Sequence, residues 1–171
     1  MSGSMSGDKA FYATEAALLL NNVFQVLQVP LEILGFTDQR EHPLMYIYKP
    51  FAKLRLPEED LLRYIGCSSE HMTGNPDGDC IVWAYDRLLR RTEKKRLLIV
   101  MSDGQPAASR HGDCAGFTSK VIDEIEQSKK IEIYGLGLCD RSVQDFYTHN
   151  STVKSPEEIP IKLLELIEKR L

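Results

Sequence analysis

Oxygen-bearing side chains gather in three short loops of this sequence. They are residues 2–4 (Ser-Gly-Ser), residues 75–79 (Asn-Pro-Asp-Gly-Asp) and residues 102–104 (Ser-Asp-Gly). Hydroxyl, amide and carboxylate oxygens suit a hard cation such as Mg²⁺, which leaves part of its octahedron to water or to an outside oxygen. Each loop alone is typical of a helix cap or a turn, but the three together predict a metal site.

No set of catalytic side chains accompanies these loops. Ser2 has no histidine near it in the sequence, and no Walker-type lysine loop is present. No nucleophile with its base and no carboxylate pair placed for acid–base work can be identified. We therefore expect a chain that is not catalytic by itself.

Composition limits the class of protein. The chain has 171 residues, of which 43% are hydrophobic and 27% charged, and its net charge is −4. These values predict one globular domain over residues 1–171 and exclude disorder. The net negative charge argues against nucleic-acid binding, and the apolar runs are too short to cross a membrane. The four cysteines have no CxxC spacing, so we expect reduced thiols in a cytoplasmic protein.

Strands and helices alternate along the sequence. Apolar spacing and helix breakers predict helices over 8–28, from 57 onward, over 80–89, 117–128 and 156–171. Apolar runs predict strands over 31–37, 45–51, 96–101 and 131–138. This order is typical of an α/β fold with a doubly wound, mostly parallel sheet and helices on both faces. Ligands bind such sheets beyond the carboxyl ends of the strands, where the three loops are expected to meet.

Three stretches resemble the von Willebrand factor A (VWA) fold, namely residues 1–7 (MSGSMSG), 97–104 (LLIVMSDG) and 133–137 (IYGLG). Within that fold the sequence is most similar to the VWA domain of the CobT subunit of aerobic cobaltochelatase. Residues 31–37 (LEILGFT), 75–89 (NPDGDCIVWAYDRLL) and 96–106 (RLLIVMSDGQP) carry this likeness. The similar stretches extend over most of the chain.

The resemblance implies a metal-ion-dependent adhesion site (MIDAS) that holds Mg²⁺ or Mn²⁺. Ser2 and Ser4 match the two serines of the family's first loop, and Asp103 matches the aspartate of its third loop. The threonine position of the second loop falls on Asn75, with Asp77 two residues further on. Asn and Asp are also found in this loop of the cobaltochelatase type.

The start of the chain departs from the family pattern. The family's first aspartate would lie immediately before Met1, and the strand that leads to it would lie before that. We therefore expect Met1 to be an internal methionine of a longer protein. With that first strand missing, the apolar faces of two neighbouring strands would be exposed and metal affinity would be lowered.

The resemblance also implies a function. VWA subunits of chelatases work with an AAA+ ATPase of the MoxR/CobS type, and an acidic residue of a protein partner completes the metal's coordination. The expected role is a metal-dependent interaction module, which in cobaltochelatase contributes to cobalt insertion for cobalamin biosynthesis. Two alternatives stay open. One is a Mg²⁺-dependent hydrolase that uses Asp77 and Asp103, and the other is a structural fragment with an inactive metal site.

Overall fold

A computed structural model of the protein describes residues 8–39, 42–68, 74–102, 104–107, 111–155 and 157–170. The described part contains helices and strands that follow the predicted alternation. In chain order they are α1 (Asp8–Leu27), β1 (Ile33–Gln39), β2 (His42–Lys49), α2 (Glu58–Ser68), α3 (Asp77–Leu89), β3 (Leu97–Ser102), α4 (Cys114–Ser128), β4 (Glu132–Leu138), α5 (Val143–Phe146), β5 (Asn150–Val153) and α6 (Glu158–Arg170).

Local sequence sets the ends of several helices. The first turn of α2 consists of three acidic residues (Glu58, Glu59 and Asp60), whose charges suit the positive end of the helix dipole. In α4, the N-cap residue Asp113 accepts a hydrogen bond from the Gly116 amide at 2.9 Å. Lys129 follows the same helix in the left-handed conformation, with φ 53°, which ends it.

The central sheet is parallel and has helices on both faces. It has the order β3-β4-β5, and Gly135 of β4 stands between Val100 and Asn150 in the register. On one face, α1 and α6 pack against β4 and β5 around Leu136. On the other face, α3 and α4 pack around Ile122 and Ile133. The predicted α/β class with helices on both faces is confirmed.

The first two strands are antiparallel rather than parallel. β1 and β2 form a hairpin in which Phe36 stands opposite Met45, and within the described residues they make a separate two-stranded sheet. Two residues separate the strands, whereas a parallel crossover needs a dozen or more. The parallel arrangement therefore holds only from β3 onward.

Two elements near the C-terminal end are not predicted by the sequence. The helix α5 and the strand β5 have four residues each. In β5, only Val153 is buried, so the segment lacks the apolar run that indicated the other strands. The predicted helices and strands are present with ends shifted by a few residues. None of the described helices is both long and apolar enough to cross a membrane.

Candidate metal centre

Asn75 and Asp77 lie side by side at the start of α3, where the second predicted loop becomes helical. Both are buried, with 7% and 3% of their surfaces exposed. The Asp77 amide donates to the backbone oxygen of Asn75 at 2.9 Å, so the chain turns tightly into the helix. The Asp77 carboxylate belongs to the first turn of α3, where the helix dipole favours a negative charge.

The loop after β3 is joined to Asn75 by two hydrogen bonds. The side-chain nitrogen of Asn75 donates to the Gln105 carbonyl at 2.7 Å, and the Ala107 amide donates to the Asn75 carbonyl at 3.3 Å. With its nitrogen engaged in this way, the Asn75 side chain presents its amide oxygen as the acceptor. The second and third predicted loops are therefore neighbours, as expected at the carboxyl end of the sheet.

The carboxyl end of β1 also reaches this region. The Thr37 hydroxyl donates to the Gly74 carbonyl at 3.4 Å, and the Gly74 amide donates to the Asp38 carboxylate. Thr37 is 1% exposed. The β1–β2 hairpin thus holds Gly74 at the start of this loop, and the loop after β3 holds Asn75.

A small cavity opens beside Asp77. It measures about 10 Å³ and is lined by Asp77, Ser102, Thr118 and Tyr147, among others, so its size is close to that of one water. Ser102 is the last residue of β3 and donates its hydroxyl proton to the Gly104 carbonyl at 3.0 Å. The polar groups that the described part of the chain contributes here carry oxygen, in agreement with the ligand preference of Mg²⁺ or Mn²⁺.

Three residues near Asp77 are absent from the predicted ligand set. Ser102 belongs to the third predicted loop, although it is not one of the predicted ligands. Thr118 is 2% exposed and precedes the buried Val121 by three residues, a helical spacing that indicates an inward position. Tyr147 follows the short helix α5, for which the sequence carries no clear signal. Burial raises the pKa of Tyr147, and the negative charge of Asp77 raises it further.

The other predicted ligands, Ser2, Ser4 and Asp103, lie outside the described residues. The structure therefore brings together Asn75 and Asp77, and it places Ser102 with Asp77 in the lining of the small cavity. Among the described residues, no group of three or more histidine, cysteine or acidic side chains could hold a metal. The local donor set is instead a carboxylate with an amide and a hydroxyl.

The outer side of the α3 start is covered by a histidine. The His111 ring stacks on Phe117 with ring centroids 3.8 Å apart, and its Nε2 lies 3.4 Å from the Asp79 carboxylate. Burial, together with the charges of Asp77 and Asp79, raises the pKa of the Cys80 thiol to about 12. At neutral pH this thiol is protonated and does not act as a nucleophile.

Comparison with known proteins shows which protein family contains this region. Residues 40–169 match the family described as the cobalamin biosynthesis protein CobT VWA domain. The match includes α3 and the loop after β3. The uncharacterized protein YojO of Bacillus subtilis (strain 168) is 25% identical over 178 residues, which cover 96% of this chain and 28% of that protein. The chain thus spans less than a third of the length of this relative.

Proposed function

Since the chain belongs to the family of CobT VWA domains, we propose that it is a metal-dependent protein-interaction module. The family match confirms the resemblance to the CobT VWA domain. The metal dependence and the identity of the partner are our proposal. The observation that supports it best is the buried Asn75–Asp77 pair at the start of α3. Hydrogen bonds to the loop after β3 hold this pair at the carboxyl end of the parallel sheet.

The proposed ligands are Ser2, Ser4, Asn75, Asp77 and Asp103. Asn75 contributes an amide oxygen whose direction is fixed by the bond from its nitrogen to Gln105. Asp77 contributes a carboxylate that burial and the start of the helix hold in one place. When bound, Mg²⁺ or Mn²⁺ supplies a coordination position that accepts a carboxylate from another protein.

An interaction role fits the chemistry near Asp77 better than catalysis does. Burial keeps the Tyr147 hydroxyl and the Cys80 thiol protonated, so neither is a ready base or nucleophile. The competing proposal is a Mg²⁺-dependent hydrolase that uses Asp77 and Asp103. Turnover of p-nitrophenyl phosphate with Mg²⁺ distinguishes the two proposals, since an interaction module gives none.

We infer that the partner is an AAA+ ATPase of the MoxR/CobS type, which the module would connect to a larger target. A role in cobalt insertion for cobalamin biosynthesis is the most specific form of this proposal. The four cysteines carry free thiols, as is usual in a reducing compartment, and we therefore propose a cytoplasmic location.

The test measures binding of a purified MoxR/CobS-type ATPase from the same genome to the immobilised chain, with 5 mM MgCl₂ or with EDTA. Asp77→Asn removes the proposed ligand charge, and Asp86→Asn is the matched control because Asp86 is an exposed residue of the same helix. We expect Mg²⁺-dependent binding of the native chain and of Asp86→Asn, and at least tenfold weaker binding of Asp77→Asn. Equal binding in EDTA, or by Asp77→Asn, contradicts the proposal.

A further inference from the structure

The loop between β2 and α2 is fixed at both of its ends. Near its start, the Phe51 ring lies 5.0 Å from the guanidinium of Arg91, which belongs to the segment after α3. At its end, the Leu56 carbonyl accepts hydrogen bonds from the side chains of Asn21 and Gln25 on α1, at 3.0 and 3.2 Å. Leu56 itself is 1% exposed. The residues between these two anchors are therefore held in a defined place.

The middle of this loop faces the solvent with a leucine between two cations. Lys53, Leu54 and Arg55 are all exposed, and 54% of the Leu54 surface is accessible. A single exposed leucine is ordinary on a protein surface. Here, however, it stands between two positive charges on an anchored loop, so apolar and charged contacts are offered side by side.

The end of α3 adds two more exposed cations. Arg90 is the C-cap residue of α3, where a positive charge suits the helix dipole, and Lys94 follows in the segment to β3. Both side chains are exposed. Because Arg91 contacts Phe51, they lie at the same end of the molecule as the anchored loop. We call the following four residues the basic end: Lys53, Arg55, Arg90 and Lys94.

The charge at this end is not neutralised within the described part of the chain. Residues 87–96 contain six lysines and arginines and one acidic residue, although the net charge of the whole chain is −4. That acidic residue, Glu93, accepts two hydrogen bonds from Arg91, at 3.1 and 2.6 Å. None of the four cations of the basic end forms an ion pair with a described residue. They are therefore available to negative charges of another molecule.

We propose that the basic end binds an acidic peptide segment of a partner protein, with an apolar residue between its carboxylates. The apolar residue would pack on Leu54, and the carboxylates on either side of it would pair with Lys53 and Arg55. Carboxylates already pair with arginines near this end, as Glu93 does with Arg91. Because the loop is anchored before binding, less conformational entropy is lost when the peptide docks.

A peptide suits this surface better than a nucleic acid does. Nucleic acids bind through many phosphate contacts to a broad positive surface, whereas here the acidic first turn of α2 follows the loop directly and the whole chain is negative. Leu54 also offers an apolar contact between the charges, for which a phosphate backbone has no counterpart. The peptide's alternation of charge and apolar surface matches both features.

The basic end is remote from the candidate metal centre. The metal centre lies at the start of α3 and the basic end at its other end, and α3 has 13 residues. At a rise of 1.5 Å per residue, about 20 Å separate the two. The peptide should therefore bind without metal, and the test is carried out in EDTA so that it is independent of the proposed metal site.

The probe is a fluorescein-labelled synthetic peptide of eleven residues, with leucine at its centre and glutamate at the other positions. Fluorescence anisotropy measures its binding to the full chain in EDTA with 50 mM NaCl. A second peptide has serine in place of the leucine. We expect the serine peptide to bind at least threefold more weakly. Raising NaCl to 500 mM should weaken the leucine peptide at least tenfold, because salt screens exposed charges.

Charge reversal tests the place of binding. The double variant Lys53→Glu with Arg55→Glu should weaken the leucine peptide at least tenfold. The matched control is Lys120→Glu with Arg141→Glu, which changes the net charge equally at exposed residues outside the basic end, and it should bind nearly as the native chain does. Urea unfolding shows whether both double variants are folded.

A second pair of variants tests the apolar contact. Leu54→Ser should remove the preference for the leucine peptide over the serine peptide. Leu62→Ser is the control, because Leu62 is an exposed leucine of α2 with 43% of its surface accessible, and it should keep that preference. Since both peptides are also compared on the native chain, the test does not depend on the folding of a variant.

Three results would overturn the proposal. In the first, neither peptide binds the native chain at millimolar concentration. In the second, the two double variants bind the leucine peptide equally well, so that the contact lies elsewhere or is only an effect of net charge. In the third, a labelled single-stranded DNA of twenty nucleotides binds the native chain more tightly than the leucine peptide and loses this binding in Lys53→Glu with Arg55→Glu, which assigns the basic end to nucleic acid.

Discussion

Cys80 links the candidate site to the core, because it is buried one turn into α3 and close to two carboxylates. Its exposed fraction is 3%, and burial with the charges of Asp77 and Asp79 raises its pKa from 9.0 to about 12. In the unfolded chain the thiol ionises near pH 9, whereas in the folded chain it stays protonated. Raising the pH from 9 toward 12 therefore favours the unfolded state, because only the unfolded chain loses the thiol proton.

We predict a loss of stability above pH 9 that Cys80→Ala reduces. At pH 10 the unfolded chain gains about 1.4 kcal/mol from ionisation of this thiol. Urea unfolding at pH 8 and pH 10 measures the difference for each variant. Cys139→Ala is the control, since Cys139 is exposed, and it should keep the native pH dependence. If Cys80→Ala keeps that dependence too, the thiol is not the cause.

At the residue scale, the sequence predicts the loops of the site better than their surroundings. Asn75 and Asp77 are predicted from residue type, loop position and the resemblance, and the structure places both in one buried turn. Thr118 and Tyr147 belong to α4 and to the segment after α5, and their approach to Asp77 depends on how those elements pack. The spacing of residues within one element does not contain that information.

At the element scale, the start of α3 packs closely against α4. A Cβ atom added at Gly78 would lie 2.6 Å from the Phe117 ring and 3.1 Å from the Thr118 hydroxyl. Gly78 therefore permits a close approach that a larger residue would prevent. The approach matters to the site because Gly78 follows Asp77 directly and Thr118 lines the small cavity.

Gly78→Ala should destabilise the protein although alanine is the better helix former. Alanine is favoured over glycine by about 1 kcal/mol within a helix, but overpacking of a filled region costs about 1–3 kcal/mol. We predict a net loss of about 1 kcal/mol in urea unfolding. Gly66→Ala in α2 is the matched control, because nothing lies within 4 Å of the added Cβ, and it should be neutral or stabilising. If Gly78→Ala is instead more stable than the native chain, α4 moves aside at little cost and the contact is not overpacked.

Elements with a strong apolar pattern are predictable, and those determined by pairing are not. The spacing of apolar residues before residue 28 indicates α1 because its apolar positions recur with the helical period. The antiparallel direction of β1 and β2 follows from the length of their connection rather than from the strands themselves. The short strand β5 exists because it pairs with β4 between Gly135 and Leu138, a tertiary effect that its own sequence does not show.

At the scale of the whole molecule, an ion pair joins the start of the hairpin to α3. The Arg87 guanidinium donates to both carboxylate oxygens of Glu32, at 2.7 and 2.6 Å, and lies 4.7 Å above the Trp83 ring. The Glu32 side chain is 4% exposed and that of Arg87 is 31% exposed. Removing the arginine leaves a buried carboxylate, whereas neutralising the glutamate leaves a guanidinium that water can reach.

We therefore predict unequal effects for the two partners. Removing one member of a buried pair costs about 3–5 kcal/mol, and solvent access at Arg87 lowers the expected value for Arg87→Leu to about 2 kcal/mol. Glu32→Gln should cost about 1 kcal/mol. Urea unfolding of both variants measures which of them loses more free energy of unfolding. If Glu32→Gln is the more destabilising of the two, the cost of leaving the buried carboxylate unpaired is not the larger effect.

The central claim is that Asp77 contributes to a metal site, and thermal unfolding with and without 10 mM MgCl₂ tests it most directly. At this concentration, a metal site with a dissociation constant of about 1 mM stabilises the folded chain by about 1.4 kcal/mol. This corresponds to roughly 3–5 °C in Tm. We predict this shift for the native chain and for the control Asp86→Asn, and none for Asp77→Asn. The claim is contradicted if Mg²⁺ leaves the native Tm unchanged, or if it raises the Tm of Asp77→Asn equally.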